Sequence, residues 1–217
     1  ILTPPEPRFG GLRKIVAIGD SATEYSTRPG ILGTAFRTAD PALSARLMGA
    51  WKALGSPIDS FQGSTTLRID PELPARSPML GSDQFPSWGT ILRHGWDTKD
   101  ETALWLVNYY YDHRHVDSGS VAIYALGAPL SVNWGAIYSP RTAGGAMHSI
   151  LLPEFALERG WAADGAALDL PERAWDFAEG SQLAAMRDSA WTTSRYTWPG
   201  KNGLVWRRTV RSLHPDP

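Results

Sequence analysis

The sequence predicts a chain that is mainly β but α+β overall: a helical N-terminal piece followed by an antiparallel β-sandwich. Three observations lead there. The stretch "DPALSARLMGAWKAL", Asp40 to Leu54, carries both the capping residues and the spacing of a helix. From Phe85 onward the pattern changes to short β-branched and aromatic runs separated by turn residues. Those runs follow one another without the intervening helices that a parallel sheet requires.

Residues 1–11 are rich in Pro and Gly and read as an irregular lead-in. "LRKIVAIGDS", Leu12 to Ser21, reads as a short strand ending in a Gly-Asp turn. In the helix that follows, Asp40 suits the N-cap and Pro41 the first helical position. Leu43, Leu47, Ala50, Trp51 and Leu54 recur at helical spacing, and Gly55 and Pro57 stop the run. Residues 55–87, dense in Pro, Ser and Gly, read as a connection between domains. The strand candidates are Thr102–Tyr111, Ser120–Leu126, Leu130–Trp134 after a Gly-Ala-Pro turn, Met147–Leu152, and Gly203–Leu213. Residues 153–200 read as a long excursion between strands, with a helical patch at "SQLAAMRDSAW".

Composition excludes several functions. The 217 residues carry 21 Lys and Arg against 22 Asp and Glu, with no long run of one sign. That argues against a general nucleic-acid binder or an anionic-membrane binder, but not against an acidic substrate held in a local cationic pocket. With no cysteine, disulfides, thiol nucleophiles and Cys-zinc sites are ruled out. No apolar run approaches the roughly 20 residues of a membrane span. The chain begins with Ile, which suggests that residue 1 is not the natural start. The ten Trp serve either as core or as stacking surfaces for sugar rings.

The segment most suggestive of chemistry is "YYYDHRHVDSGSVAIYALGAPLSVNWG", Tyr109 to Gly135. In an extended chain, His113, His115 and Asp117 share one face. Three ligand-competent or proton-carrying groups on one face is a sharper pattern than His-x-His alone. The competing reading is a solvated strand face without function.

The string from His113 to Gly135 resembles the heparinase II/III-like polysaccharide lyases, whose members carry H-x-H-A-D, then an aromatic strand with Gly-x-Pro-Leu, then an aspartate before Ser-Gly. "FPSWGTILRHGW" (Phe85–Trp96) is similar to the strand that opens that family's sandwich. "GGAMHSILL" resembles its histidine-bearing strand, and "RYTWPGKNGLVWRRTVRSLHPDP" a later strand with an aromatic and Arg-Arg. The resemblance is best over residues 82–152. It implies that residues 1–80 are the C-terminal end of a helical α/α toroid plus a linker, and that 81–217 are the β-sandwich domain.

It also implies roles. His113 falls on the catalytic histidine. His115, Asn133 and His148 fall on three metal ligands, and zinc is the cofactor implied. Asn133 departs from the family's aspartate, and an amide oxygen is a weaker zinc ligand than a carboxylate. A hydrogen-bonded His115–Asn133–His148 cluster is the alternative. Arg93, Arg114, Tyr111 and Tyr138 are candidate contacts to an acidic polysaccharide, because guanidinium forks match carboxylate or sulfate; for the two arginines the alternative is a solvated surface. The family's catalytic tyrosine lies in the toroid, most of which is outside this chain. The implied reaction is β-elimination in a uronic-acid glycan, which places the protein in the periplasm or outside the cell.

Two other classes stay open. A non-catalytic carbohydrate-binding sandwich would keep aromatic stacking surfaces and lose the proton chemistry. "KIVAIGDSATE" (Lys14–Glu24) resembles the opening of a GDSL-type serine esterase, with Ser21 as nucleophile and Asp112-x-x-His115 after it. Against it, no Gly-x-Asn-Asp lies between them, and about half of the chain follows His115.

Overall fold

The structure, a computed structural model, describes residues 2–16, 26–58, 68–85, 89–107, 119–131, 148–149, 181–183, 189–198 and 201–211. Cα packing divides the chain into two compact units. The described residues up to Leu80 form the first, and those from Gly81 onward the second.

In the first unit the lead-in is irregular apart from a single 3-10 turn at Pro7–Phe9 and two isolated bridges. Gly10 and Gly11 both take left-handed φ, 68° and 76°, and turn the chain back on itself. Leu2 then bridges Ile15, and Glu6 bridges Leu12, antiparallel. The expected strand at 12–21 is thus reduced to these bridges over its described part. Residues 17–25, Ser21 among them, lie outside the described residues. The Lys14 ammonium sits 4.0 Å from the centre of the Phe9 ring, a cation–π contact.

Two helices follow, α1 (Arg28–Phe36) and α2 (Pro41–Ala53). Helix α2 starts as its sequence predicts: Asp40 accepts a hydrogen bond from the Leu43 N–H at 2.9 Å, and Pro41 opens the first turn. Its buried face differs from the expected one. Ser44, Ala45, Met48 and Trp51 point inward, while Leu43, Leu47 and Ala50 are only half-buried. The cause is α1. A Cβ on Gly33 would fall 2.7 Å from the Met48 sulfur, and one on Gly30 would fall 3.0 Å from Trp51. The two glycines thus make the surface on which Met48 and Trp51 pack, and Ser44 donates to the Gly33 carbonyl at 2.7 Å. On the far side of α2 the main chain at Arg76 lies so close to Gly49 that a Cβ there would meet the Arg76 carbonyl oxygen at 1.7 Å. Among the described residues no helix is long and apolar enough to cross a membrane.

Among the described residues the second unit holds two antiparallel sheets. One is a five-stranded meander of β1 (Asp83–Phe85), β2 (Gly89–His94), β3 (Thr102–Val107), β4 (Val121–Ala125) and β5 (Ala128–Ser131), in sequence order. The other is a three-stranded meander of β6 (Ser181–Leu183), β7 (Ser189–Trp198) and β8 (Lys201–Arg211). On one face of the first sheet Leu92, Leu106 and Val121 form a core cluster with Leu104 and Ile123, and Val210 of β8 packs against it. The opposite face carries Ile91, Trp105, Val107 and Ala122, all buried. Trp105 and, in the first unit, Trp51 serve as core, not as open stacking surfaces.

Within the helical patch expected at 181–191, the described residues are paired as antiparallel strands instead: Ser181 pairs with Thr192, and Leu183 with Ala190. The β4–β5 hairpin turns through Leu126 and Gly127, with φ of 55° and 71°. Positive φ at both central positions is the type I′ pattern, for which Asn-Gly is favoured. Leu126 is 87% exposed, so it gains no packing to offset its left-handed backbone. Leu126→Asn is therefore expected to raise stability by about 1 kcal/mol, read as a higher denaturant midpoint with an unchanged slope.

Candidate functional site

The meander determines which loops share an end of the sheet. β3 ends at Val107, β4 starts at Val121, and β5 returns to end at Ser131. Leu106 pairs with Val121 and Ile123 with Ser131, so these three strand ends lie together. Hydrogen bonds close the group. The Val107 N–H donates to the Ser120 carbonyl at 2.9 Å, and the Gly119 N–H donates back to the Val107 carbonyl at 2.8 Å. Gly119 has φ of 82°, a conformation that favours glycine. The Ser131 hydroxyl donates to the Val121 carbonyl at 2.9 Å.

The segment carrying Tyr111, Asp112, His113, Arg114 and His115 leaves from Val107 and rejoins at Gly119. Asn133 and Tyr138 follow Ser131. All seven lie outside the described residues. The described residues bring the stems of their segments to one end of the sheet.

His148 is described, and it is buried, with 8% of its surface exposed. Its segment is fixed by a residue that sequence reasoning did not single out. The Arg208 guanidinium on β8 donates from one nitrogen to the Gly119 carbonyl, at 2.8 Å, and to the Ser149 carbonyl. Arg208 therefore ties the base of the His113 segment to the neighbour of His148. The sequence signal was faint: Arg208 and Val210 share a strand face by alternation, and Val210 faces the core cluster. A cation on that face needs carbonyl partners.

Arg93 does not join this group. It pairs with Ala103, four residues along β3 from Val107, which places it about 13 Å from that end of the sheet. It also lies on the face opposite the Leu92 cluster. It is not a solvated surface residue either. Its side chain and that of Glu101 are each 1% exposed and form an ion pair at 2.5 Å. The second Glu101 oxygen accepts the Asp97 N–H at 3.0 Å, and the Arg93 guanidinium carbon sits 5.1 Å from the centre of the Trp96 ring. Here Arg93 braces the β2–β3 connection. Anchoring a substrate carboxylate would require that pair to open.

Among the described residues, no group of three or more His, Asp or Glu side chains is placed to hold a metal ion. Of the three implied ligands, His148 alone falls within them. Every strand pairing among the described residues is antiparallel, which gives no support to the three-layer α/β fold of a GDSL-type esterase.

No family model matches the chain, and no curated protein matches it in sequence. Among solved structures it is similar to the heparan sulfate lyase HepC from Pedobacter heparinus, with a TM-score of 0.53 and 16% identity. That match covers 90% of this chain and 27% of HepC. A mutant of the same lyase gives a TM-score of 0.46 at 14% identity, covering 90% and 27% of the two chains. A heparinase III gene product gives 0.35 at 13%, covering 92% and 30%. The chain thus spans 27% of the length of HepC, and at this identity the similarity to HepC is one of fold.

Proposed function

We propose that this chain is part of a polysaccharide lyase that cleaves a uronic-acid-containing acidic glycan by β-elimination. The carrying observation is the convergence of the stems of the His113 and Asn133 segments with the His148 segment at one sheet end, on a fold similar to that of HepC. In this reading α1 and α2 are the last helical pair of an α/α toroid, and the second unit is the sandwich. The C5 proton, α to the carboxylate, is removed by a base. The C4–O bond breaks, an unsaturated uronate forms, and an acid protonates the leaving oxygen. Charge develops on the carboxylate as the proton leaves, so donors aimed at it lower the barrier. His113 handles the proton or contacts the carboxylate, and Arg114, Tyr111 and Tyr138 hold the sugar.

His115, Asn133 and His148 are the residues that would hold zinc. Two imidazoles and an amide oxygen form a neutral donor set that fits zinc less well than one with a carboxylate. No step above passes through a metal. The alternative arrangement, a hydrogen-bonded cluster of the same three residues, would orient the imidazoles directly. The substrate class places the protein in the periplasm or outside the cell. The reading is tested by incubating the full-length protein that carries this chain with heparan sulfate, alginate and other uronate polymers. Elimination creates an ultraviolet-absorbing product, whereas hydrolysis does not.

A further inference from the structure

We propose that Arg208 is a positioning residue: by holding the Gly119 and Ser149 carbonyls with one guanidinium nitrogen, it sets the place of His148 relative to the base of the His113 segment. The proposal rests on the lyase reading above, but its geometry stands on described residues alone.

The two carbonyls, of Gly119 and Ser149, lie 30 residues apart in sequence and share one donor nitrogen. That nitrogen carries two hydrogens, one for each oxygen. Gly119 is fixed on both sides, since its N–H goes to β3 and its carbonyl to β8. A left-handed φ of 82° leaves it little room to re-form elsewhere with another residue type. Ser149 is the residue next to His148, so a shift at its carbonyl moves the buried imidazole with it. Arg208 is itself half-buried, on a strand whose Val210 packs in the sandwich core, so its own position is set by the sheet. The arrangement links one rigid strand to two loop stems. Sites that move protons need such support, because a displacement of about 1 Å can cost about a hundredfold in rate.

The test compares wild type, Arg208→Met and Arg208→Lys in the full-length protein. Three quantities are read: melting temperature, kcat and KM for elimination, and the ring resonances of histidines in isotope-labelled protein. Arg208→Met is expected to lower kcat about 10- to 100-fold while KM changes less than about twofold. Arg208→Lys, which keeps a multi-hydrogen donor, is expected to recover part of the loss. The His148 ring signal should shift in Arg208→Met, and that of His94, at the far end of β2, should not. A folded Arg208→Met with wild-type kcat, or an unmoved His148 signal, overturns the proposal. If Arg208→Met does not fold, Arg208→Lys decides: unchanged kcat together with an unmoved His148 signal overturns it. If wild type eliminates no polymer, the lyase reading falls, and the histidine signals still decide the role of Arg208.

Discussion

Glu101→Ala is expected to destabilise the protein by about 3–5 kcal/mol. Glu101 and Arg93 face each other with side chains 1% exposed, 2.5 Å apart. Removing the carboxylate leaves a guanidinium buried without its counter-charge, and also strips the acceptor from the Asp97 N–H. The Trp96 ring beside Arg93 replaces only part of that interaction. Folded domains have about 5–15 kcal/mol in hand, so the loss is a large share of the total. The double replacement Arg93→Met with Glu101→Leu should come close to wild type, because neither charge of the pair is then left buried without the other. Urea unfolding of the single and double variants checks both statements. Equal losses for the single and the double variant would show that the pair does not act as a pair.

His113→Ala carries the largest expected effect on activity, a fall of about 10²- to 10⁴-fold in kcat, the range for loss of a positioned acid–base group. Substrate binding should change little if His113 works mainly in the transition state. The variant should melt with wild type. A parallel fall in affinity for the polymer would instead place His113 among the binding contacts.

Much of the fold could be read from single residues. Asp40 and Pro41 announced the start of α2, and Gly127 announced the turn between β4 and β5. Helix α1 was missed because Pro29, Gly30 and Gly33 lower its helix propensity, and two of these are the glycines that Met48 and Trp51 need. Missing α1 then misdirected the buried face of α2, since a helix's inner face depends on what it meets. Strand β7 was missed because half of its ten residues are Ser or Thr, so apolar alternation is weak; its ladder with β8 supplies what the pattern lacks. The candidate site is named by the sequence as segments, through His113, His115 and His148, of which His148 alone lies among the described residues. What gathers their stems was not legible there. Arg208 reaches Gly119 across 89 positions of sequence, and no local spacing encodes such a contact. For Arg93, a candidate substrate anchor by its charge, the partner is nearer in sequence: Glu101, eight residues on, forms a buried ion pair with it.

The most direct test of the central claim is an ultraviolet elimination assay on the full-length protein, wild type against His113→Ala, over a panel of uronate polysaccharides. The account predicts a rise in absorbance with at least one polymer, and its loss in a His113→Ala protein that is still folded. A folded wild type that binds these polymers and produces no chromophore would contradict it and point to a non-catalytic sugar-binding sandwich. Neither binding nor chromophore would contradict it as well, and would turn attention to Ser21 and a serine-hydrolase probe.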